Sequence, residues 1–186
     1  GSTDRTEQWP QVGIKPNTAV IGPDDPIAIP AWGGGTARAF VGLAAVAKTI
    51  CKNVTPEQVG SVIAGWSIGV DFASGGEDIS FSQARAWDTS AAIGPWIVVG
   101  PGFNPDNVTI SASVSGQEVV SANSADFPLK AAEAFAKVTH MMTLLPGDVV
   151  IVGGVEAAQP LSAGERLTSA ITGVGQMENM LVSANR

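Results

Sequence analysis

The sequence predicts a single, mainly β domain with a few helices, packed as a mixed β-sandwich roll. Three observations predict it. Short β-branched and apolar runs bounded by Gly, Pro, Asn and Asp outnumber the helical patterns. The two helical patterns do not alternate with strands, as a parallel βαβ sheet would require. At 186 residues, with 45% hydrophobic and 15% charged, the chain is long enough for one real core without calling for a second.

Taken in order, residues 1–13 are polar and aperiodic and read as an N-terminal arm, leaving 14–186 as the domain. The stretch from Ile14 to Pro30 carries four prolines and a Gly-Pro-Asp-Asp turn, which predicts short strands joined by tight turns. Trp32 to Thr36 reads as a flexible loop without the Lys-Ser/Thr of a phosphate-binding loop. Ala39 to Ile50 is apolar almost throughout, as expected of a strand buried on both faces. Thr55, Pro56 and Gln58 then spell a helix start. Val59, Val62, Ile63 and Trp66 follow at helical spacing, with Gly65 near the end.

Further along, Trp96 to Val99 reads as a strand closed by Gly100-Pro101-Gly102. Val108 to Val114 and Gln117 to Ser121 flank Ser115-Gly116, a two-residue hairpin signal. Asp126 to Met142 is the second helix, with Pro128 in its first turn and Leu129, Ala132, Phe135, Ala136 and Thr139 on one stripe. Leu144 to Gly154 turns into an apolar strand, and Arg166 to Val182 alternates as strands around Gly173 and Gly175.

Composition excludes several classes of function. A net charge of −7 without a basic run excludes nucleic acid and an anionic membrane surface as partners. No apolar stretch approaches the roughly 20 residues that span a bilayer. No secretory leader is visible, and the single Cys51 fits a reducing compartment, so the expectation is a cytoplasmic protein. One His and no Tyr leave little for a His-based triad or a His-rich metal site.

The chemistry concentrates between Gly65 and Trp96. This stretch holds three of the five Trp residues and a cluster of charges, Asp71, Glu77, Asp78, Arg85 and Asp88, in an otherwise apolar chain. Polar groups set among apolar strands are paired or functional, because burying them alone is expensive. Asp71 is a general base or the partner of a buried Arg. Arg85 binds a substrate oxyanion or neutralises Asp71. Glu77 and Asp78 lie on a Gly-rich loop, as acid–base groups or solvated charges. Asp88-Thr89 reads as a structural turn or a ligand contact. Gly153 and Gly154 present backbone N–H groups to an oxyanion or mark a strand end. His140 reads as a helix-terminus residue, Cys51 as core, and Trp32, Trp66, Trp87 and Trp96 as core or pocket wall.

Six pieces in order resemble the fumarylacetoacetate hydrolase superfamily. They are Lys15-Pro16, Ile21-Gly22-Pro23 with Asp25-Pro26-Ile27, Gly65-Trp66 with Asp71, Arg85 with Trp87-Asp88-Thr89, Ile93-Gly94-Pro95-Trp96, and Thr143-Leu144-Leu145-Pro146-Gly147-Asp148-Val149. The resemblance implies a β-rich roll, a homodimer, and turnover of β-dicarbonyl or 2-oxo acid substrates with a divalent metal. That metal is held by a Glu-x-Glu pair together with the Asp matched by Asp71. Counting back from Lys48, the pair falls on Ala39 and Val41, which carry no carboxylates. Other departures are Val70 for Asn, Gly75-Gly76 for Arg-Asp, Arg85 for the catalytic Lys and Gly154 for Thr. The N-terminal segment holds no His for the family's His-Glu lid pair.

One carboxylate does not hold Mg²⁺. The expectation is therefore a site without metal or other cofactor, in which Asp71 pairs with Arg85. Ala39, Val41, Val70, Asp78, Trp87, Gly153 and Gly154 would line it and bind the substrate. The expected function is a metal-independent enzyme of secondary metabolism. It would isomerise, decarboxylate or cyclise a small-molecule enolisable or polyene carbonyl substrate, larger and more apolar than a small diacid. A non-catalytic binding or subunit scaffold competes with it, and a conventional metal-dependent hydrolase is the third reading.

Overall fold

The computed structural model describes residues 9–76 and 78–184. Two sheets enclose one core. The first strands are short, as the prolines dictate: β1 (Val20–Ile21) and β2 (Ile27–Ile29). Then come β3 (Thr36–Ala47), β4 (Ile63–Ala73), β5 (Ala91–Val98), β6 (Thr109–Val114) and β7 (Gln117–Asn123). The last four are β8 (Val149–Glu156), β9 (Leu161–Ser162), β10 (Arg166–Ile171) and β11 (Gly175–Ser183). One sheet runs β1-β5-β4-β3-β8 with β9 also on β3; the other runs β2-β11-β10-β6-β7. The mainly β roll of the sequence reading is the fold observed.

The first sheet carries two different faces. Ala37, Ala39, Val41, Leu43, Ala45 and Ala47 of β3 are at most 2% exposed and point inward with Trp66, Ile68, Val70 and Phe72 of β4. They meet Ile110 and Ala112 of β6, Leu167 and Ile171 of β10, and Met177 and Leu181 of β11 in one apolar cluster. Side chains alternate along a strand. The opposite, outer face therefore carries Arg38, Phe40, Gly42 and Ala44, with Ser67, Gly69 and Asp71 beside them.

Local chemistry explains most elements. Ser115 and Gly116 join β6 to β7 with φ of 49° and 88°, the doubly positive pair that a tight hairpin turn needs. Val108, Ile110, Ala112 and Val114 are buried in alternation, as their pattern predicts. The capping box forms as read: the Thr55 N–H donates to Gln58 Oε1 at 3.0 Å. Its helix is much shorter than the periodicity suggests. A 3-10 turn at Pro56–Gln58 leads into α1 (Val59–Val62). Gly65 and Trp66 belong to β4, whose pairing with both β3 and β5 overrides the helical pattern.

The second helix, α2 (Ala131–Met141), starts later than Asp126. Phe127 precedes Pro128 and is held extended at ψ 138°, because proline disfavours the helical conformation in the residue before it. Asp106 caps α2 from a distant loop, its Oδ1 accepting the Ala131 N–H at 2.8 Å. The strand read at Trp96–Val99 begins earlier, at Ala91, and Pro95 lies within it. Trp32 to Thr36 is not a loop throughout: Ala31–Gly33 form a 3-10 turn and Thr36 opens β3. Among the described residues no helix is long and apolar enough to cross a membrane. The arm begins before the described residues, and Trp9 to Lys15 run without regular structure.

Candidate active site

Asp71 projects from the outer face of β4, with its side chain 21% exposed. Arg85 reaches it from the 74–90 segment that connects β4 to β5. Arg85 Nε donates to Asp71 Oδ2 at 2.9 Å. The Asp–Arg pair expected from the sequence is therefore present.

A third charge completes it. Lys15, read before only as part of a motif, sets its Nζ 2.8 Å from Asp71 Oδ1. The ammonium also donates to the Phe72 carbonyl at 3.2 Å, the Arg85 carbonyl at 2.6 Å and Ser90 Oγ at 3.1 Å. An ammonium carries three protons. The Nζ of Lys15 is thus shared among these acceptors and the Asp71 carboxylate. Burial holds the Lys15 pKa below its ordinary value, opposed by Asp71 and reinforced by Arg85. Ser90 Oγ donates to the Arg85 carbonyl at 2.8 Å, so Arg85 is anchored at its backbone as well as at its Nε.

Two aromatic rings lie against the guanidinium. Arg85 Cζ lies 4.1 Å from the Phe81 ring centre and 5.1 Å from that of Phe40. Arg38 stacks on Phe40 as well, 5.4 Å from its centre, and pairs with Glu156 of β8. The arm closes over this group: a Cβ on Gly13 would stand 3.0 Å from Phe81.

Several expected site residues lie elsewhere. Ala39, Val41 and Val70 are fully buried on the inner face, paired as Ala39 with Phe72 and Val41 with Val70. Phe40 stands opposite Asp71, so the positions that face it are Phe40 and Gly42. The count from Lys48 was one residue out, and in a strand one residue reverses the face. Trp87 is 7% exposed in the core and donates its indole N–H to the Ala84 carbonyl at 2.9 Å. Asp78 is exposed on its loop, and Glu77 lies outside the described residues. Thr89 serves the fold, its Oγ1 accepting the Ala28 N–H at 2.8 Å. Gly154 abuts Phe40, whereas Gly153 faces the Phe127 ring. Cys51 is buried, and His140 caps nothing but contacts the Val54 carbonyl at 3.3 Å.

Sequence reasoning missed Lys15, Phe40 and Phe81. The first was visible in the Lys15-Pro16 motif; the two rings carry no polar signature.

A family model described as fumarylacetoacetate (FAA) hydrolase C-terminal matches residues 2–182. The chain belongs to this family. Among its curated relatives, oxaloacetate tautomerase YcgM from Escherichia coli is 29% identical over 174 residues, covering 88% of this chain and 78% of its own. A solved structure named 5-carboxymethyl-2-hydroxymuconate delta-isomerase, from Mycobacterium smegmatis, superposes with a TM-score of 0.88 at 29% identity, covering 98% of this chain and 73% of that one. Maleylpyruvate hydrolase from Sphingobium sp. SYK-6, solved with manganese(II) and pyruvate, gives 0.82 at 28% identity, covering 92% and 64%. The chain spans 66% to 80% of three curated relatives and 39% of a bifunctional isomerase/decarboxylase.

The donor set around Asp71 does not fit the divalent metal that this family implies. Among the described residues no three His, Cys, Asp or Glu side chains come together. Facing Asp71 are a phenyl ring and a glycine, and its own oxygens lie against two cations. Gly42 has no room for a ligand either, because a Cβ there would stand 2.5 Å from the Val152 carbonyl oxygen. The register of β3 against β8 shifts between Val41 and Leu43, which presses that carbonyl in. Glu156 lies on the far side of Phe40 and is spent on Arg38.

Proposed function

We propose that this chain is an enzyme of the fumarylacetoacetate hydrolase family that isomerises or decarboxylates an enolisable carbonyl acid without a divalent metal. Relatives named as isomerases, tautomerases, decarboxylases and hydrolases support an enzyme of this superfamily. The observation that carries the metal-independent reading is the placement of Asp71 between Lys15 and Arg85. A carboxylate already neutralised by two cations does not recruit a third.

The chemistry then rests on Arg85. Its Nε is committed to Asp71, while neither terminal nitrogen hydrogen-bonds a described residue. Of their four N–H groups, one outside the Nη1–Nη2 edge suits an oxygen that gains negative charge as an enolate forms, and a donor fixed in advance reorganises little at that moment. Asp71 and Lys15 act through Arg85, as positioning residues. A cyclisation of a polyene in secondary metabolism draws on the same donor, with the phenyl rings shaping the substrate.

Keto–enol conversion of phenylpyruvate and decarboxylation of unsaturated β-keto monoacids, followed by absorbance with and without EDTA, test the proposal. Turnover that survives EDTA and is lost in Arg85→Ala supports it; turnover that requires added Mn²⁺ refutes it.

One observation favours the scaffold reading. The Phe40 ring and Ile151, which packs over Gly69, fill the space beside Asp71 with side chains. Absence of turnover on every enolisable acid tried, in a folded protein, selects it.

A further inference from the structure

We infer that Arg85 is a clamp for a single planar carboxylate carried on an unsaturated, apolar carbon frame. This names the substrate class of the site described above and rests on the reading that Arg85 is its working group.

Three observations carry it. Asp71 takes only Nε, through one oxygen, which leaves the Nη1–Nη2 edge of the guanidinium unused among the described residues. That edge presents two parallel N–H groups, whose spacing matches the two oxygens of a carboxylate. Phe81 and Phe40 pack against the guanidinium, Asp71 holds Nε, and Lys15 and Ser90 hold the Arg85 carbonyl, so the edge is aimed in one direction.

The charge balance sets the number of carboxylates. Lys15 and Arg85 against Asp71 leave one positive charge, and Arg38 is closed on Glu156. One carboxylate neutralises the site. A second finds no free cation among the described residues nearby, and the surfaces beside the clamp are phenyl rings. A conjugated chain next to the carboxylate stacks on those rings; a second charge there would be desolvated without a partner.

Calorimetry on the full chain in EDTA with two six-carbon dienoic acids tests this. Sorbate has one carboxylate on a planar diene, and trans,trans-muconate has the same frame with a carboxylate at each end. Sorbate is expected to bind one per chain and at least tenfold more tightly than muconate. Arg85→Lys, which keeps the charge and loses the edge, is expected to lose tenfold or more for sorbate. Phe81→Leu is expected to lose several-fold with circular dichroism unchanged. Muconate binding as tightly as sorbate, or sorbate binding unchanged in Arg85→Lys, overturns the clamp. Should Arg85→Lys unfold, the sorbate-to-muconate ratio of the unmodified chain still decides. Sorbate bound with no turnover of any keto acid supports the clamp and removes only the catalytic reading. Turnover without sorbate binding does the reverse.

Discussion

Phe40 stands directly opposite Asp71 across the β3–β4 pair, and its ring lies against the guanidinium that Asp71 holds. An apolar ring thus occupies the place from which a carboxylate could share a metal with Asp71. Restoring that carboxylate alone is expected not to restore metal binding. In Phe40→Glu the new side chain meets Arg85 and pairs with it, and the next outward position, Gly42, stays empty of ligands. Metal analysis of Phe40→Glu after dialysis against Mn²⁺ is expected to find well under one ion per chain. A stoichiometric ion would show that the donor set is adequate after all.

Gly42 is held to glycine by the neighbouring backbone. A methyl group there would meet the Val152 carbonyl at 2.5 Å, the Gly154 nitrogen at 3.2 Å and the Gly153 carbonyl carbon at 3.3 Å. β3 and the edge strand β8 would have to part to admit it. Overpacking of this kind costs about 1–3 kcal/mol. Gly42→Ala is expected to lower the urea midpoint accordingly, whereas Gly60→Ala, with open space at its Cβ, is expected to leave it nearly unchanged. Equal midpoints for the two variants would contradict the close approach.

The sequence disclosed the charged half of this arrangement and hid the aromatic half. Asp71 and Arg85 announced themselves because charges are rare in this chain and each fell inside a recognisable motif. Phe40 and Phe81 gave no such signal, since a phenyl ring in an apolar run reads as core until its face is known. Ala39 and Val41 were assigned to the wrong face by a single position, an error that a strand amplifies fully because its side chains alternate. The helix read through Trp66 failed for a different reason. Val59 and Val62 do lie in α1, but Ile63 and Trp66 belong to β4, and only the long pairing of that strand with its two neighbours decides this. The hairpin at Ser115-Gly116 was legible because its turn chemistry is local.

Lys15 ties the arm, the β4 strand and the Arg85 segment together through one ammonium. Lys15→Met fills much of the same volume and leaves the Phe72 carbonyl and Ser90 Oγ without this donor, while the Arg85 carbonyl keeps its bond from Ser90 Oγ. Asp71 keeps Arg85, so the loss is smaller than that of stranding a buried charge, about 1–3 kcal/mol for the unpaired acceptors. The functional effect is expected to exceed the structural one. With its carbonyl held by Ser90 alone, Arg85 loses aim, and sorbate affinity is expected to fall at least fivefold although Lys15 does not touch the ligand. Unfolding by urea and calorimetry on the same samples separate the two. Sorbate affinity unchanged in a folded Lys15→Met would remove Lys15 from the positioning of Arg85.

The pH dependence follows from the same lysine. Burial is the main reason its pKa lies below the ordinary 10.5; Asp71 opposes the shift and Arg85 adds to it. Between the lowered native value and 10.5, the unfolded chain holds a proton that the native chain has released. Stability rises with pH wherever the unfolded state binds more protons. The contribution of Lys15 to stability is therefore expected to increase with pH in the window just below 10.5, and to be flat beneath it. Function moves the other way, because neutral Lys15 no longer balances Asp71 and the Arg85 edge is drawn toward that carboxylate. The difference in urea midpoint between the unmodified chain and Lys15→Met cancels the other titrating groups. It is expected to widen in favour of the unmodified chain across that window while sorbate affinity falls. A difference that stays flat below 10.5 and narrows above it would mean that Lys15 stays protonated in the fold and is stabilised by Asp71 more than burial penalises it.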